Sequence, residues 1–383
     1  MERRVAIVGV GATPFHPLSP DLSYRELVYE AAVRAYQDAG IDPREDVDSF
    51  ISVAEDYDEG TAIFDEYTPD QVGAALRPMH TISADGLYGV AAAFMLIQTG
   101  QCEVVVVEGH SKASNILTPS YITALAMDPI YNRPLRFHPT CIAGMEMARY
   151  LQETGTTPTQ CCAVAVKNRR NALLNPLAAY GANLSLEEAQ ASPIAFAPLR
   201  EVEMSRSADG AVVLVLASEE AARHLMGHPI WVHGVGWCSD SPTLETREWG
   251  DAVYAHLAAQ MAYRQAGIRN PARQLHLAEV DDTYAYKELM HIEALGLCRR
   301  GEAGRLVEEG ATERDGHMPV NVSGGSLGMG HLGEATGLAR LAQAVLQLRG
   351  RGETRQVKGA KTAIVQSWRG VPSASGAVVI LSA

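Results

Sequence analysis

The sequence predicts an α/β protein made of two duplicated halves, and three observations carry that prediction. Runs of β-branched residues alternate with segments whose apolar residues recur at helical spacing. One such series returns in the same order after residue 228. At 383 residues, 47% hydrophobic and 20% charged, the chain exceeds one average domain and can supply a large core.

The first series opens on VAIVGVGATPF (5–15), a glycine-broken β-branched run that reads as a strand. ELVYEAAVRAYQDAGI (26–41) then sets Leu27, Ala31, Ala32, Ala35 and Tyr36 on one helical face, and VDSFISVAEDY (47–57) returns to strand. In the second series IWVHGVGWCSD (230–240), DAVYAHLAAQMAYRQAGI (251–268) and LHLAEVDDTY (275–284) follow the same plan. Gly9 to Gly234, Ala35 to Ala262 and Val53 to Val280 are displaced by 225, 227 and 227 residues, a register that unrelated helices would not keep.

The repeat continues through SADGLYGVAAAFMLIQTG (83–100) and EVVVVEG (103–109), matched by HLGEATGLARLAQAVLQLRG (331–350) and KTAIVQS (361–367). Pairing Gly89 with Gly337 puts Ser83 opposite His331 at equivalent helix starts. Unpaired N–H groups and the positive end of the dipole stabilise negative charge there, so two starts meeting on a pseudo-twofold axis would form a reaction centre. The stretch 110–205, richer in Pro, Asn and Ser, reads as an insertion lying over the first half, and SRSADGAVVLVLAS (205–218) closes that half with a buried strand. The expected division is 1–228, including the insertion, and 229–383.

Composition excludes several functions. A net charge of −13 without a long Lys/Arg run argues against nucleic acid or an anionic membrane as partner. No apolar run approaches the roughly 18 residues of a membrane span, and the N-terminal apolar segment is too short for a signal peptide, so a cytoplasmic protein is expected. The six cysteines form no C-x-x-C pair and no H-E-x-x-H helix occurs, which signals neither a metal site nor a disulfide framework. GVGATPF and GVGWCSD lack the G-x-G-x-x-G spacing and recur in both halves, so they read as strand–helix turns and not as dinucleotide sites.

The duplicated halves, DGAVVLVLAS (209–218) and above all NVSGGSLGMGHLGEATG (321–337) resemble the thiolase superfamily, particularly its sterol-carrier-protein-type and archaeal-type branch, over essentially the whole chain. EVDDTYAYKELMHIEALGLCRRGEAGRLVEEG (279–310) is similar to the segment that carries the family's His-Asp-Ala-Phe motif. The resemblance implies a five-layered αβαβα sandwich and chemistry at the carbon–carbon bond of a 3-oxoacyl-CoA. His331 matches the family histidine, with Leu332 where proline is usual. The nucleophilic cysteine's Cys-Ala-Ser-Gly run falls on Ser83-Ala84-Asp85-Gly86, the oxyanion-side residue on Asp281, and the second cysteine near Ser367.

Each candidate has two readings. Ser83 is a hydroxyl activated by His331, or the N-cap of its helix with Asp85 complementing the dipole. His331 is a base or oxyanion donor, or a histidine satisfied by neighbouring backbone. Asp281 and Asp282 end a buried strand where an unpartnered carboxylate is costly, so one is expected to face the pocket, Asp281 by position. Tyr284 and Tyr286 donate to an oxyanion or pack with their hydroxyls satisfied. Ser367 and Gly370 would support the site, and Gly324, Gly325, Gly328 and Gly330 would let backbone approach the substrate.

The leading expectation is a thiolase-like enzyme of lipid metabolism that acts on a CoA thioester by acyl transfer or thiolysis without the usual cysteines. One alternative is a retro-aldolase acting on a 3-hydroxyacyl-CoA, because Gly370-Val371-Pro372 is like the C-terminal segment of a cysteine-free branch of the superfamily. The other is a non-catalytic subunit that binds acyl-CoA and scaffolds a partner. Coenzyme A or acyl-CoA is expected as substrate, with no bound cofactor. By resemblance the partners are a second copy, paired through an edge strand near 103–109, and a small zinc-ribbon/OB-fold protein.

Overall fold

Strands buried on both faces and glycine placement account for most of the architecture, in a computed structural model that describes residues 3–55, 63–241, 243–371 and 373–383. The first half contributes strands β1 (Val5–Ala12), β2 (Ser49–Val53), β3 (Met79–Ile82), β4 (Val104–Lys112) and β5 (Asp209–Ser218). The second contributes β6 (Ile230–Ser239), β7 (Leu277–Glu279), β8 (Thr362–Trp368) and β9 (Ser375–Ser382). The helices that position the site are α1 (Tyr24–Ala39), α2 (Gly86–Gln98), α3 (Pro139–Thr154), α4 (Pro158–Ala172), α5 (Val253–Ala266), α6 (Ala285–Ala294), α7 (Gly325–Met329) and α8 (Thr336–Leu348).

The strands form one sheet in the order β3-β2-β4-β5-β1-β6-β9-β8-β7. Read inward from either end, β2-β4-β5-β1 and β7-β8-β9-β6 repeat one pattern, a parallel pair followed by antiparallel steps. The halves meet where Val5, Ala6 and Ile7 pair with Val232, Trp231 and Ile230. A parallel bridge from Ala278 to Val320 stands beside β7 as β3 stands beside β2.

Alternation along the strands sorts the side chains into three cores, because successive residues face opposite sides of a sheet. Val5 and Ile7 of β1, Val105 and Val107 of β4, and Ala377 and Val379 of β9 enter the central core with Leu87 and Val90 of α2 and Leu338 and Leu341 of α8. Ala6 and Val8, with Val104 and Val106, face Ala31 and Ala35 of α1. Ile364, Val378 and Ile380 face Ala258 and Ala262 of α5 on the other outside. The result is helix, sheet, paired central helices, sheet and helix, the five layers expected of this α/β fold.

Three expectations need correction. The 110–205 segment does not simply lie over the first half: Met147 and Tyr150 of α3 and Val164 and Ala165 of α4 pack with Leu289 and Met290 of α6 in the second half's outer core. Buried Lys167 and Asn168 of α4 require partners, and they find Glu288 at 2.7 Å and Asp282 at 2.8 Å there. Strand β4 lies between β2 and β5, so it is interior and cannot pair across a twofold; β3 is the edge on that side.

The Gly-x-Gly motifs lie within β1 and β6 and are not turns. A Cβ on Gly9 or Gly11 would press into the carbonyl oxygens of Ala35 or Ala31, and one on Gly234 or Gly236 into those of Ala262 or Ala258. Strand glycines facing helix alanines let backbones meet, twice, by the same device. Among the described residues no helix is long and apolar enough to cross a membrane. Gly11→Ala and Gly236→Ala are each expected to cost about 1–3 kcal/mol through overpacking against a carbonyl that cannot move aside, read as a lower midpoint in urea denaturation.

Candidate active site

The starts of α2 and α8 meet at the centre of the molecule, and a carboxylate of the protein already fills the meeting point. Asp85 caps α2, its Oδ1 accepting the Leu87 N–H at 2.9 Å, while its Oδ2 accepts the Gly337 N–H of α8 at 3.0 Å. Gly86 lies so close to Leu338, and Gly337 to Asp85, that neither tolerates a Cβ. Burial pushes Asp85 up to about 6, against the pull of the nearby Ser367 hydroxyl, the Leu87 N–H and Arg340. Asp85, and not Ser83, is therefore the helix cap; Ser83 is exposed and does not line the cavity described below. Ser367 is fully buried beside Asp85 and also lies away from that cavity.

Asp281 is a buried ion-pair group, which corrects its reading as the carboxylate that faces the pocket, and Asp282 pairs locally as a capping group. Arg340, fully buried on α8, sits 2.8 Å from Asp281 Oδ2 and 3.5 Å from Asp282 Oδ1, and donates to Ser326 Oγ at 2.6 Å. Burial would raise Asp281, but Arg340, with His291 and the Thr283 N–H, holds it below the usual carboxylate range. Asp282 accepts the Ser326 and Leu327 N–H groups of α7 at 2.6 and 3.2 Å, and burial pushes it up to about 6. Gly324, Gly325 and Gly330 have positive φ of 106°, 55° and 110°; a Cβ there would meet Ala172, Asp282 and Ala208. Backbone conformation and close packing, not contact with the cavity, require these glycines.

The cavity, about 250 Å³, opens beside this network. His331, Tyr284, Thr283, Ser207, His110 and Gly370 contribute to its lining. Its apolar wall includes Phe64, Ile116 and Ile122, while Glu55 and Arg369, joined in an ion pair, also line it. Pro372 of the Gly-Val-Pro segment lies outside the described residues. Among the described residues no cysteine lines the cavity.

His331 is held by its backbone, its N–H donating to Arg206 O and its carbonyl accepting from the Ala208 N–H. Its Nδ1 accepts the Gly333 N–H at 3.2 Å, so the neutral ring carries its proton on Nε2. Burial lowers its pKa below the usual imidazole value despite Asp281, which keeps the ring neutral near pH 7. Tyr284 begins α6 and stacks on Tyr286 with centroids 5.9 Å apart. Burial keeps the Tyr284 phenol protonated. Tyr286 does not line the cavity; its hydroxyl donates to Glu146 Oε2 at 2.6 Å, the packing outcome.

Sequence reasoning did not single out Thr283, Ser207 or His110. Thr283 Oγ1 is buried without a hydrogen-bond partner among the described residues, in a side chain that lines the cavity. Glu108 and His110 stand two apart near the end of β4, a spacing that places them on one face and was the available signal. His110 Nδ1 lies 3.3 Å from Glu108 Oε2, and Ser52 on β2 donates to the other carboxylate oxygen.

Residues 239–383 match the family described as thiolase C-terminal domain-like. An acetyl-CoA acetyltransferase of Methanothermobacter thermautotrophicus is 31% identical to this protein over 94% of each chain. The chain belongs to the thiolase superfamily. It is also 29% identical, over 97% of each chain, to the 17-hydroxy-3-oxo-4-pregnene-20-carboxyl-CoA lyase of Mycobacterium tuberculosis. The solved Ltp2-ChsH2(DUF35) aldolase superposes on it with a TM-score of 0.85 at 28% identity, covering 99% of this chain and 98% of that one. A thiolase-superfamily enzyme with CoA-thioester relatives is thus the frame for the site.

Burial of these carboxyl groups sets a pH dependence of stability. Asp85 and Asp282, up to about 6, and Glu279, pushed by burial up to about 7, bind protons more tightly folded than unfolded. Their stabilisation is full below the unfolded carboxyl range and is lost as pH rises towards 7, whereas the depressed Asp281 acts oppositely in acid. Glu279→Gln, which keeps a hydrogen-bonding side chain beside Ser323, is expected to flatten the fall in melting temperature between about pH 4.5 and 7. A melting profile of the same slope as the wild type would contradict this.

Proposed function

We propose that this protein cleaves the Cα–Cβ bond of a 3-hydroxyacyl-CoA by a retro-aldol reaction, releasing an aldehyde or ketone and a shortened acyl-CoA. The observation that carries the reading is the make-up of the cavity: His331 and Tyr284 line it, and no nucleophile from the family's cysteine positions does. By resemblance those positions fall on exposed Ser83 and on buried Ser367. Asp85 takes N–H groups at both helix starts that would otherwise serve an acyl-enzyme oxyanion. Retro-aldol cleavage needs no acyl-enzyme. It needs donors for a thioester enolate, which the His331 Nε2–H and the protonated Tyr284 hydroxyl supply, and Thr283 Oγ1 offers a further polar contact.

The lyase and aldolase relatives support this reaction class, and Phe64, Ile116 and Ile122 suit a bulky apolar acyl group. The acetyltransferase relative favours acyl transfer as the second reading. The DUF35 named with the aldolase supports a partner of that kind. A homodimer, if formed through a strand edge on the first half, would use β3.

The test is to incubate the protein, alone and with a DUF35-type partner, with 3-hydroxyacyl-CoA, and separately with 3-oxoacyl-CoA plus CoA. Cleavage of the hydroxy thioester without a trapped acyl adduct is expected. Thiolysis through an adduct on Ser83 would establish acyl transfer instead, and binding without turnover in every combination would leave a scaffolding subunit. His331→Ala is expected to lower kcat/KM by about 10²–10³, as for loss of an oxyanion donor, while Ser83→Ala stays close to wild type. Steady-state kinetics on the cleaved substrate check both.

A further inference from the structure

Polar atoms buried in a folded chain find hydrogen-bond partners, and one without a partner calls for a physical reason. Thr283 Oγ1 is buried at the cavity wall with no partner among the described residues. Other polar groups of the lining are engaged. Ser111 Oγ accepts the Ala113 N–H at 3.3 Å, Thr123 Oγ1 donates to Pro119 O at 3.0 Å, and Glu55 pairs with Arg369. Ser207 is exposed, so its hydroxyl has water as an alternative partner. In the retro-aldol reading the His331 Nε2–H and the Tyr284 hydroxyl serve the thioester oxygen. Resting on that reading, we propose that Thr283 is a specificity-determining residue whose hydroxyl binds the 3-hydroxyl of the substrate.

The backbone that carries this hydroxyl is fixed on both sides. The Thr283 N–H donates to Asp281 Oδ1 at 3.0 Å, and its carbonyl accepts the Ser205 N–H at 2.8 Å. The segment 204–208 then runs past His331, whose N–H donates to Arg206 O at 2.8 Å and whose carbonyl accepts the Ala208 N–H at 2.9 Å. Met204 bridges to Tyr284, and Ser207 to His331. One stretch of chain therefore sets the spacing between Thr283 and the two enolate donors.

A 3-hydroxyacyl thioester carries its hydroxyl two carbons from the carbonyl, so groups on neighbouring segments can hold both oxygens. A threonine hydroxyl has one proton and two lone pairs, and it accepts from the 3-hydroxyl or donates to it. Because no hydrogen bond restrains Oγ1, one rotation about Cα–Cβ exchanges it with the methyl group and turns it to the ligand without losing a bond. An unsubstituted acyl chain leaves the hydroxyl without that partner. Phe64, Ile116 and Ile122 contact either chain alike, so the preference between the two ligands reports on Thr283.

The experiment uses the full chain, with any partner it requires, and two CoA thioethers of equal chain length, S-(3-hydroxyalkyl)-CoA and S-alkyl-CoA. Neither has a carbonyl, so neither is cleaved, and calorimetry reads Kd directly. The wild type is expected to prefer the hydroxylated ligand by about three- to tenfold, the net worth of one hydrogen bond. Thr283→Val removes the hydroxyl and keeps the branched shape; it is expected to abolish the preference and leave the S-alkyl-CoA Kd unchanged. Thr283→Ser is expected to retain the preference. Since the deleted hydroxyl has no partner to lose, Thr283→Val is expected to melt no lower than the wild type. A wild type without the preference, a preference that survives Thr283→Val, or an equal loss of affinity for both ligands overturns the assignment and leaves the reaction class to the cleavage assay. A preference abolished in Thr283→Val, in a protein that cleaves no 3-hydroxyacyl-CoA, keeps the contact and overturns the reaction.

Discussion

The Asp85 carboxylate between two helix starts is the constraint on which the rest of the molecule turns. Helices α2 and α8 approach end to end through Gly86 and Gly337, which leaves backbone N–H groups facing each other in a water-poor core. Such donors are costly without acceptors and repel one another through their partial charges. One carboxylate accepting from Leu87 and from Gly337 resolves both problems. It also closes the place where a pseudo-symmetric pair of helices would otherwise bind an anion.

That choice propagates outward through charge. Asp85, Asp281, Asp282 and Glu279 lie fully or almost fully buried around one guanidinium, Arg340, which is itself fully buried. The depressed Asp281 and the raised Asp85, Asp282 and Glu279 show that the arginine stabilises one anion fully and the others in part. Lys167 and Asn168 from α4 complete the network through Glu288 and Asp282, which ties the long insertion to the second half. Rigid polar contacts of this kind hold the turns that carry Thr283, Tyr284 and His331 at the cavity wall.

The fold was legible because its signals are local and repeated. The β-branched runs of β1, β4 and β9, buried on both faces, the helical spacing on α1 and the paired glycines of β1 and β6 can each be read from a few neighbouring residues. Long-range contacts were not. Register alone put Ser83 at a helix start, but the turn runs two residues further and the two oxygens of the Asp85 carboxylate reach both helices. Asp281 looked available because its partner, Arg340, stands among the apolar residues of α8, a position from which sequence does not announce an ion pair. His331 was legible because the repeat and the glycine-rich turn single it out, whereas Tyr284 carried two readings that spacing does not separate.

His110 shows where such reading stops. It follows the apolar run of β4, and the sequence does not announce that its Nδ1 lies beside the buried Glu108 carboxylate two residues earlier. A thiol nucleophile needs a helix start to lower its pKa, and here Asp85 occupies that start, so a cysteine at Ser83 would gain little activation. His331 needs no helix dipole, because its neutral tautomer is set by one local hydrogen bond from a backbone N–H. A carboxylate that fills the helix starts and a cavity histidine whose state comes from local hydrogen bonding are therefore compatible parts of one arrangement.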